Sequence, residues 1–592
     1  MSSFNNSISN NNNEYKYKYK NKNKNNNHSA IDDANSHEKS THLFVLIHGL
    51  WGTPKHMSTI EDFIKESIND EVTKDQIVTL KPSCFGFWKT YDGLELNAKK
   101  IIQEMFYEIE SLKQKNKLIV KRISFIGYSL GGLFSRYIIG LLNEIGFFEL
   151  VEPVFFCTFA TPHLGIHFFR NNFFDTIANN LGPYMFGKSG GQLFIADHEK
   201  ILVAMADPQQ KYMQGLRKFK KHILMANIKN DRTVAFFTSY ITSYSPFDEL
   251  DKIKVKYLKN LPHSEIATKS VRPKFVDLTR SRKIEPNDAK SFIGNLQEET
   301  PVFRRYKIVK FCFLVLICCF VVPFWIPFVL ITSSIVSIYS YIKVKVHSIP
   351  DHKSHWERAS DYLYGGDAID LDDAKAGQER RERRNRLVKH ESFKGDTSQL
   401  AENTMEGIMY AEEKFGSGKR SAGADISDEE DEDEKDEEYE IEAKAGDVDE
   451  KTFSSNISNR TNENGEFIRN VGNVGNVNGT KLNPKLINLD YQLHDEKMKE
   501  HLSTLQECDR FILFKDEAKL ELDEDRAFIE RSLNLLNWIK IPVFLDVWNA
   551  HDGIVSRRGV KSNPKGAATI GLWASILRNY LREQTEPQEG KS

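Results

Sequence analysis

The residues able to do chemistry lie in three short stretches, and the most constrained of them is Gly127-Tyr128-Ser129-Leu130-Gly131. A serine hydroxyl attacks an acyl carbon only when a base takes its proton and the backbone holds it clear of its neighbours. Here an apolar run from Ile123 precedes the serine and a helix-spaced apolar run to Gly140 follows it. That is the pattern of a G-x-S-x-G elbow: Gly127 and Gly131 omit side chains where strand and helix approach, and the strained turn lifts the hydroxyl outward. At the head of the helix, the Leu130 N–H points to where an oxyanion would form. Ordinary glycine turns share the spacing, and the flanking strand and helix are what distinguish this one.

The second stretch is His48-Gly49-Leu50-Trp51-Gly52, which follows the buried run Leu43 to Ile47. Its H-G-x-x-G pattern, with Gly49 and Gly52, exposes backbone N–H groups for a second oxyanion donor. Leu50 is the expected donor and Trp51 the other candidate, while His48 is read as shaping the loop. The third stretch, Asn549-Ala-His-Asp-Gly-Ile-Val-Ser556, places His551 just after the last strand, where a catalytic base would sit. An acid must then orient that base. Asp231, in the polar turn Lys229-Asn-Asp-Arg-Thr-Val234 after the strand His222 to Ile228, gives the chain order serine, acid, histidine. Asp546 and Asp552 are its rivals. His163, in Ala160-Thr-Pro-His-Leu-Gly165, precedes any suitable acid and is read as a loop-shaping residue.

Positioning these side chains requires alternating strands and helices. Leu43 to Ile47, Ile77 to Leu80, the run before Ser129, Val154 to Phe159, His222 to Ile228 and Ile541 to Trp548 read as strands, with Pro542 marking an edge position. Met57 to Ser67, Gly93 to Leu112 and Ala527 to Ile539 carry apolar residues at helical spacing. Phe168 to Phe194, rich in Phe, Asn and Gly without a clean period, is read as a cap over the serine.

The chain has 592 residues and a formal net charge of −2, a balance that argues against nucleic acid as a partner. Its six cysteines show no paired metal spacing and fit a reduced, intracellular protein. No metal site and no cofactor are expected. Residues 1–40 read as a polar, disordered leader without a signal-peptide core. Residues 41–285 would hold the nucleophile and the acid, 495–582 the histidine, and 583–592 a tail. Between them lie 304–346, a membrane hairpin, and 350–485, a mostly disordered insertion with a basic patch at Arg380 to Arg386 and an acidic tract at Ser427 to Glu438. Ser427, followed by three acidic residues, is an expected site for an acid-directed kinase.

Residues 311–342 form the longest apolar run, broken by Pro323 and Pro327 and flanked by Lys and Arg. The arm from Phe328 to Ile342 would reach about 22 Å at about 1.5 Å per residue, short of the ~30 Å hydrocarbon core. The base also follows the run while the nucleophile precedes it. Both points predict a hairpin that enters and leaves by the cytosolic face.

With HGLWG, GYSLGG, FATPHLG, NIKNDRTV and NAHDGIVSR in this order, the chain resembles the eukaryotic serine esterase family of lipase-like α/β-hydrolases. Its fungal members include lipid-droplet phospholipases and monoacylglycerol lipases. The resemblance covers about Leu43 to Thr279 and Asp523 to Leu581. It implies an α/β-hydrolase fold with a mostly parallel sheet and helices on both faces. It also implies Ser129 as nucleophile, Asp231 as acid, His551 as base, and a glycerophospholipid or acylglycerol substrate at the cytosolic face of a lipid droplet or the endoplasmic reticulum. Tyr128 departs from it, standing where many relatives have histidine. Two other readings are an acyl-protein thioesterase of the same fold and an inactive membrane adaptor.

Overall fold

A computed structural model describes residues 39–283 and 519–585 with short gaps, together with 487–489, 500–505 and isolated positions between 331 and 356. The leader, most of the apolar run, both charged tracts and Ser427 lie outside the described residues.

Six parallel strands form the central sheet: β1 (Lys39–Ile47), β2 (Gln76–Leu80), β3 (Leu118–Tyr128), β4 (Glu152–Phe159), β5 (Lys221–Asn227) and β11 (Trp538–Val543), in the order β11-β5-β4-β3-β1-β2. Between β5 and β11 the chain makes two small antiparallel sheets. One pairs β6 (Ile253–Tyr257) with β9 (Val276–Lys283); the other joins β7 (Ser264–Ile266), β8 (Lys269–Val271) and β10 (Ile487–Leu489). The strand β10 returns to the body before residue 495, where the sequence had put the re-entry.

Successive residues of a strand face opposite sides, and β1 sends Leu43, Val45 and Ile47 into one core and Phe44 and Leu46 into another. Helices α2 (Leu94–Asn116) and α3 (Leu130–Glu144) cover the first face; α1 (Ser58–Ser67) and α8 (Pro564–Thr585) cover the second. A sheet buried on both faces explains why its strands read as continuous apolar runs.

The cap region contains two helices, α4 (Phe173–Met185) and α5 (Gly187–Leu193). Asn, Gly and Pro weaken intrinsic helix propensity there, so the sequence showed no clean period. Tertiary contacts hold the segment instead. Ser189 Oγ accepts from Gly93 N–H at 3.1 Å and donates to Thr90 O at 2.6 Å, and Gln192 Oε1 accepts from Leu94 N–H at 2.8 Å.

Near the C-terminus the expected boundaries shift. The helix α6 spans Glu524–Leu533, started earlier by Asp523, whose side chain caps Arg526 N–H. Trp538 and Ile539, expected to end that helix, instead begin β11. The strand then ends before Trp548 because Phe544 N–H turns to Lys274 O at 3.0 Å. Asp546 therefore lies beyond the strand, with Lys565 Nζ 3.6 Å from its carboxylate. Pro542 does lie on the strand at the sheet's end.

Beyond the apolar run, Trp356 packs on Phe106 and Phe147, with ring centroids 5.6 and 5.4 Å apart. Ile331, Ile335, Ile338, Tyr339 and Ile342, the described apolar positions of the run, are helical and exposed. No helix among the described residues is long and apolar enough to cross a membrane.

Candidate active site

Ser129 sits between β3 and α3 with φ 54° and ψ −129°, a conformation that costs a non-glycine residue about 1–3 kcal/mol. The turn is held by Ser129 N–H donating to Phe159 O at 2.9 Å and Thr161 Oγ1 donating to Ser129 O at 2.9 Å. Its glycines are sterically required. A Cβ on Gly131 would lie 2.0 Å from Ile47 O, and one on Gly127 2.4 Å from Gly132 Cα.

His551 begins a short turn, α7 (Ala550–Gly553), capped by the Asn549 side chain, which accepts from Asp552 N–H. Its Nε2 is 3.0 Å from Ser129 Oγ and its Nδ1 is 3.0 Å from Asp231 Oδ2. Asp231 is itself fixed. Thr233 N–H and Val234 N–H donate to Oδ1 at 3.0 and 2.8 Å, and Asn227 Nδ2 donates to Oδ2 at 3.0 Å. The same Asn227 Nδ2 reaches Ala550 O at 3.0 Å, tying the Asp231 loop to the turn that carries His551. Burial works against a charged His551, but the charge and hydrogen bond of Asp231, aided by Asp552, outweigh it and raise the imidazole pKa above its ordinary value.

A Cβ on Gly49 would lie 2.5 Å from Ser129 Cβ, so the first-strand loop passes directly over Ser129. Within it, Trp51 N–H is already turned to Thr90 Oγ1 at 3.3 Å. Of the two candidate donors, this favours Leu50. Leu130 is the first residue of α3, and its N–H falls among those that a helix's own ladder leaves unpaired. His48 stacks on Phe85 at 4.1 Å and donates from Nδ1 to Gly49 O at 3.1 Å; burial takes its pKa down to about 3, so it is neutral. His163 is buried with Nε2 3.0 Å from Thr158 Oγ1, and burial, then the nearby Arg136 and Lys540, hold its pKa well below the ordinary value. Both serve loop geometry.

Sequence reasoning missed the surroundings of Asp552. Its Oδ1 accepts from Tyr128 Oη and from an Arg557 guanidinium nitrogen, each at 3.2 Å. The signal was adjacency: Tyr128 precedes Ser129 and Asp552 follows His551. No group of three or more His, Cys, Asp or Glu among the described residues is arranged to hold a metal ion.

A parallel sheet with a serine on a strained strand-to-helix elbow, bonded through histidine to an aspartate after β5, defines an α/β-hydrolase. Residues 37–243 match the family model described as "Putative serine esterase (DUF676)". That segment includes Ser129 and Asp231; His551 lies beyond it.

Among curated proteins, the chain is 28% identical over 239 residues to "Putative lipase C4A8.10" of Schizosaccharomyces pombe, covering 38% of this chain and 30% of that protein. To "Putative lipase ROG1" of Saccharomyces cerevisiae it is 28% identical over 260 residues, covering 42% and 35%. The chain thus spans about a third of the length of these relatives. Among solved structures, a carboxyl esterase 2 from Tuber melanosporum aligns at a TM-score of 0.22 and 16% identity, covering 32% of this chain and 57% of that one. The phospholipase PlaB from Legionella pneumophila, in complex with thio-NAD, aligns at 0.23 and 16%, covering 32% and 38%.

Proposed function

We propose that this chain is a serine lipase that hydrolyses acyl esters of glycerophospholipids or acylglycerols at a cytosolic lipid surface, a lipid droplet or the endoplasmic reticulum. The observation that carries the reading is the bonded chain from Ser129 Oγ through His551 to Asp231. In this mechanism His551 Nε2 takes the Ser129 proton as Oγ attacks the ester carbonyl carbon. Asp231 holds the proton on Nδ1 and balances the imidazolium charge. The N–H groups of Leu50 and Leu130 bind the tetrahedral oxyanion. His551 then protonates the departing alcohol, and water, activated by the same imidazole, releases the acid and restores Ser129.

Two features favour a lipid over a small soluble ester. The outward face of α4 presents Ile177, Leu181 and Tyr184 a helical turn apart, with Tyr184 77% exposed. The segment ends at Phe186, whose ring is 5.9 Å from Trp51 in the oxyanion loop, so this apolar face adjoins the site. The second feature is the run 311–342. Because Ser129 and His551 share one site, a run between them that enters a bilayer must leave by the face it entered.

The test is hydrolysis of phospholipid and acylglycerol vesicles by the purified chain and its Ser129→Ala variant, with ester and thioester analogues of one acyl group side by side. Ser129-dependent release of fatty acid from the vesicles supports the reading. Turnover of the thioester alone would make the protein a thioesterase, and no turnover with no acylation of Ser129 would leave an adaptor.

A further inference from the structure

Two residues that flank the proposed machinery are bonded to each other across it. Tyr128, immediately before Ser129, donates from Oη to Asp552 Oδ1 at 3.2 Å, and Asp552 immediately follows His551. The same oxygen accepts from Arg557 at 3.2 Å, and the Arg557 backbone N–H reaches Asp552 O at 3.2 Å. The Tyr128 ring lies 5.1 Å from the His551 ring, tilted by 38°. Tyr128 is buried, and the Asp552 and Arg557 side chains keep only 14% and 12% of their surface. An ion pair so enclosed is screened little by solvent, and its charges act on any neighbour.

We propose that Asp552 is a positioning residue for the serine reaction, a second carboxylate that Tyr128 and Arg557 clamp so that the His551 imidazole stays over Ser129 with a balanced charge on its far side. This rests on the triad reading given above. Asp231 fixes the tautomer from Nδ1; the Asp552 clamp fixes the loop that carries the ring, and joins it to the strand that carries the nucleophile. Charge enters as well as shape. The groups that face the imidazole are Asp231, Asp552 and Arg557, with Tyr128 against the ring, and His56 of the first-strand loop acts on Asp552. Burial alone would raise the Asp552 pKa, but Arg557 and then His551 hold it below the ordinary carboxylate value, so the group is an anion at neutral pH. As an anion it favours the imidazolium that forms when Ser129 attacks, while Arg557 opposes it.

The test is the pH dependence of fluorophosphonate labelling of Ser129 in the full-length protein, which needs no knowledge of the natural lipid. In wild type the rate rises as His551 loses its proton. Asp552→Asn removes an anion beside the imidazole and moves that rise to lower pH. Arg557→Gln removes a cation and moves it to higher pH, and the double variant returns it toward wild type. Tyr128→Phe keeps the ring and loses the Oη bond, slowing labelling at neutral pH about tenfold. Circular dichroism of each variant separates misfolding from these shifts. Folded Asp552→Asn and Arg557→Gln proteins whose profiles move together, or not at all, overturn the proposal. Absence of labelling in wild type would instead remove the triad reading on which it stands.

Discussion

Ser129 depends on its backbone as much as on its base, because the φ of 54° that aims Oγ at His551 is kept only by the loops bonded around it. Replacing Ser129 or His551 by Ala is expected to reduce acyl-ester hydrolysis by about 10⁴-fold or more. Asp231→Asn should cost about 10³- to 10⁴-fold, since the amide leaves the imidazole in the wrong tautomer. Steady-state assays on a soluble ester check all three, and a nearly active Ser129→Ala protein would refute the assignment. The pH profile follows from the same contacts. Asp231 and Asp552 outweigh the burial that disfavours a charged His551, so the folded pKa lies above the ordinary 6.5. The base is therefore still protonated where a free imidazole would already be neutral. The acid limb of kcat/KM should sit above pH 6.5, and Asp231→Asn should move it down.

At the scale of elements, the elbow and the first-strand loop are held by contact distances that admit no side chain. A methyl on Gly131 would meet Ile47 O, and Gly131→Ala should destabilise the fold by about 3 kcal/mol through forced displacement, measurable by urea unfolding. The buried histidines add a pH dependence. His42, His48, His163 and His222 all have folded pKa values lowered chiefly by burial, that of His48 to about 3. Their contribution to stability is complete above the unfolded value of 6.5 and is lost as pH falls below it, by about 1.4 kcal/mol per pH unit for each histidine that stays neutral. The urea midpoint should fall between pH 7 and pH 5; a flat midpoint would contradict these assignments. The outward face of α4 carries its own expectation. Ser at Ile177, Leu181 and Tyr184 together should lower turnover on vesicles while leaving a short soluble ester unaffected.

The six strands were legible because a sheet buried on both faces writes itself as apolar runs closed by glycine loops, as Leu43 to Ile47 and then His48-Gly49 show. The loops that carry Ser129, Asp231 and His551 were legible too, and the structure links the three side chains through contacts of 3.0 Å. What stayed hidden was set by contacts between distant segments. The cap helices are held by Gln192 and Ser189, not by propensity. Trp538 stands three residues after Leu535, at helical spacing, but pairs with His222 in the sheet. The Tyr128–Asp552 bond joins residues with no local reason to meet.

Over the whole molecule, His551 returns to Ser129 from more than four hundred residues away, past the apolar run and the charged insertion. Trp356, packed on Phe106 and Phe147, brings the chain back to the body just after that run. Trp356→Ala should cost about 1–2 kcal/mol for a partly buried ring. Deleting residues 423–442 should leave activity in detergent unchanged, because so charged a segment adds nothing to a core. Deleting 311–341 should release a protein from lipid surfaces that still hydrolyses a soluble ester, and protease added to intact microsomes should remove tags from both termini. Loss of soluble-ester turnover on that deletion, or protection of either tag, would contradict the hairpin.

The proposed activation of Ser129 by His551 across that long separation can be tested by chemistry at the serine itself. Its most direct measurement is fluorophosphonate labelling of the full chain, followed by mass analysis of the tryptic peptide Ile123 to Arg136, which also contains Ser124 and Ser135. Wild type should carry one stoichiometric adduct on Ser129, and the folded His551→Ala protein almost none. An adduct on another serine, or equal labelling of Ser129 without His551, would contradict it.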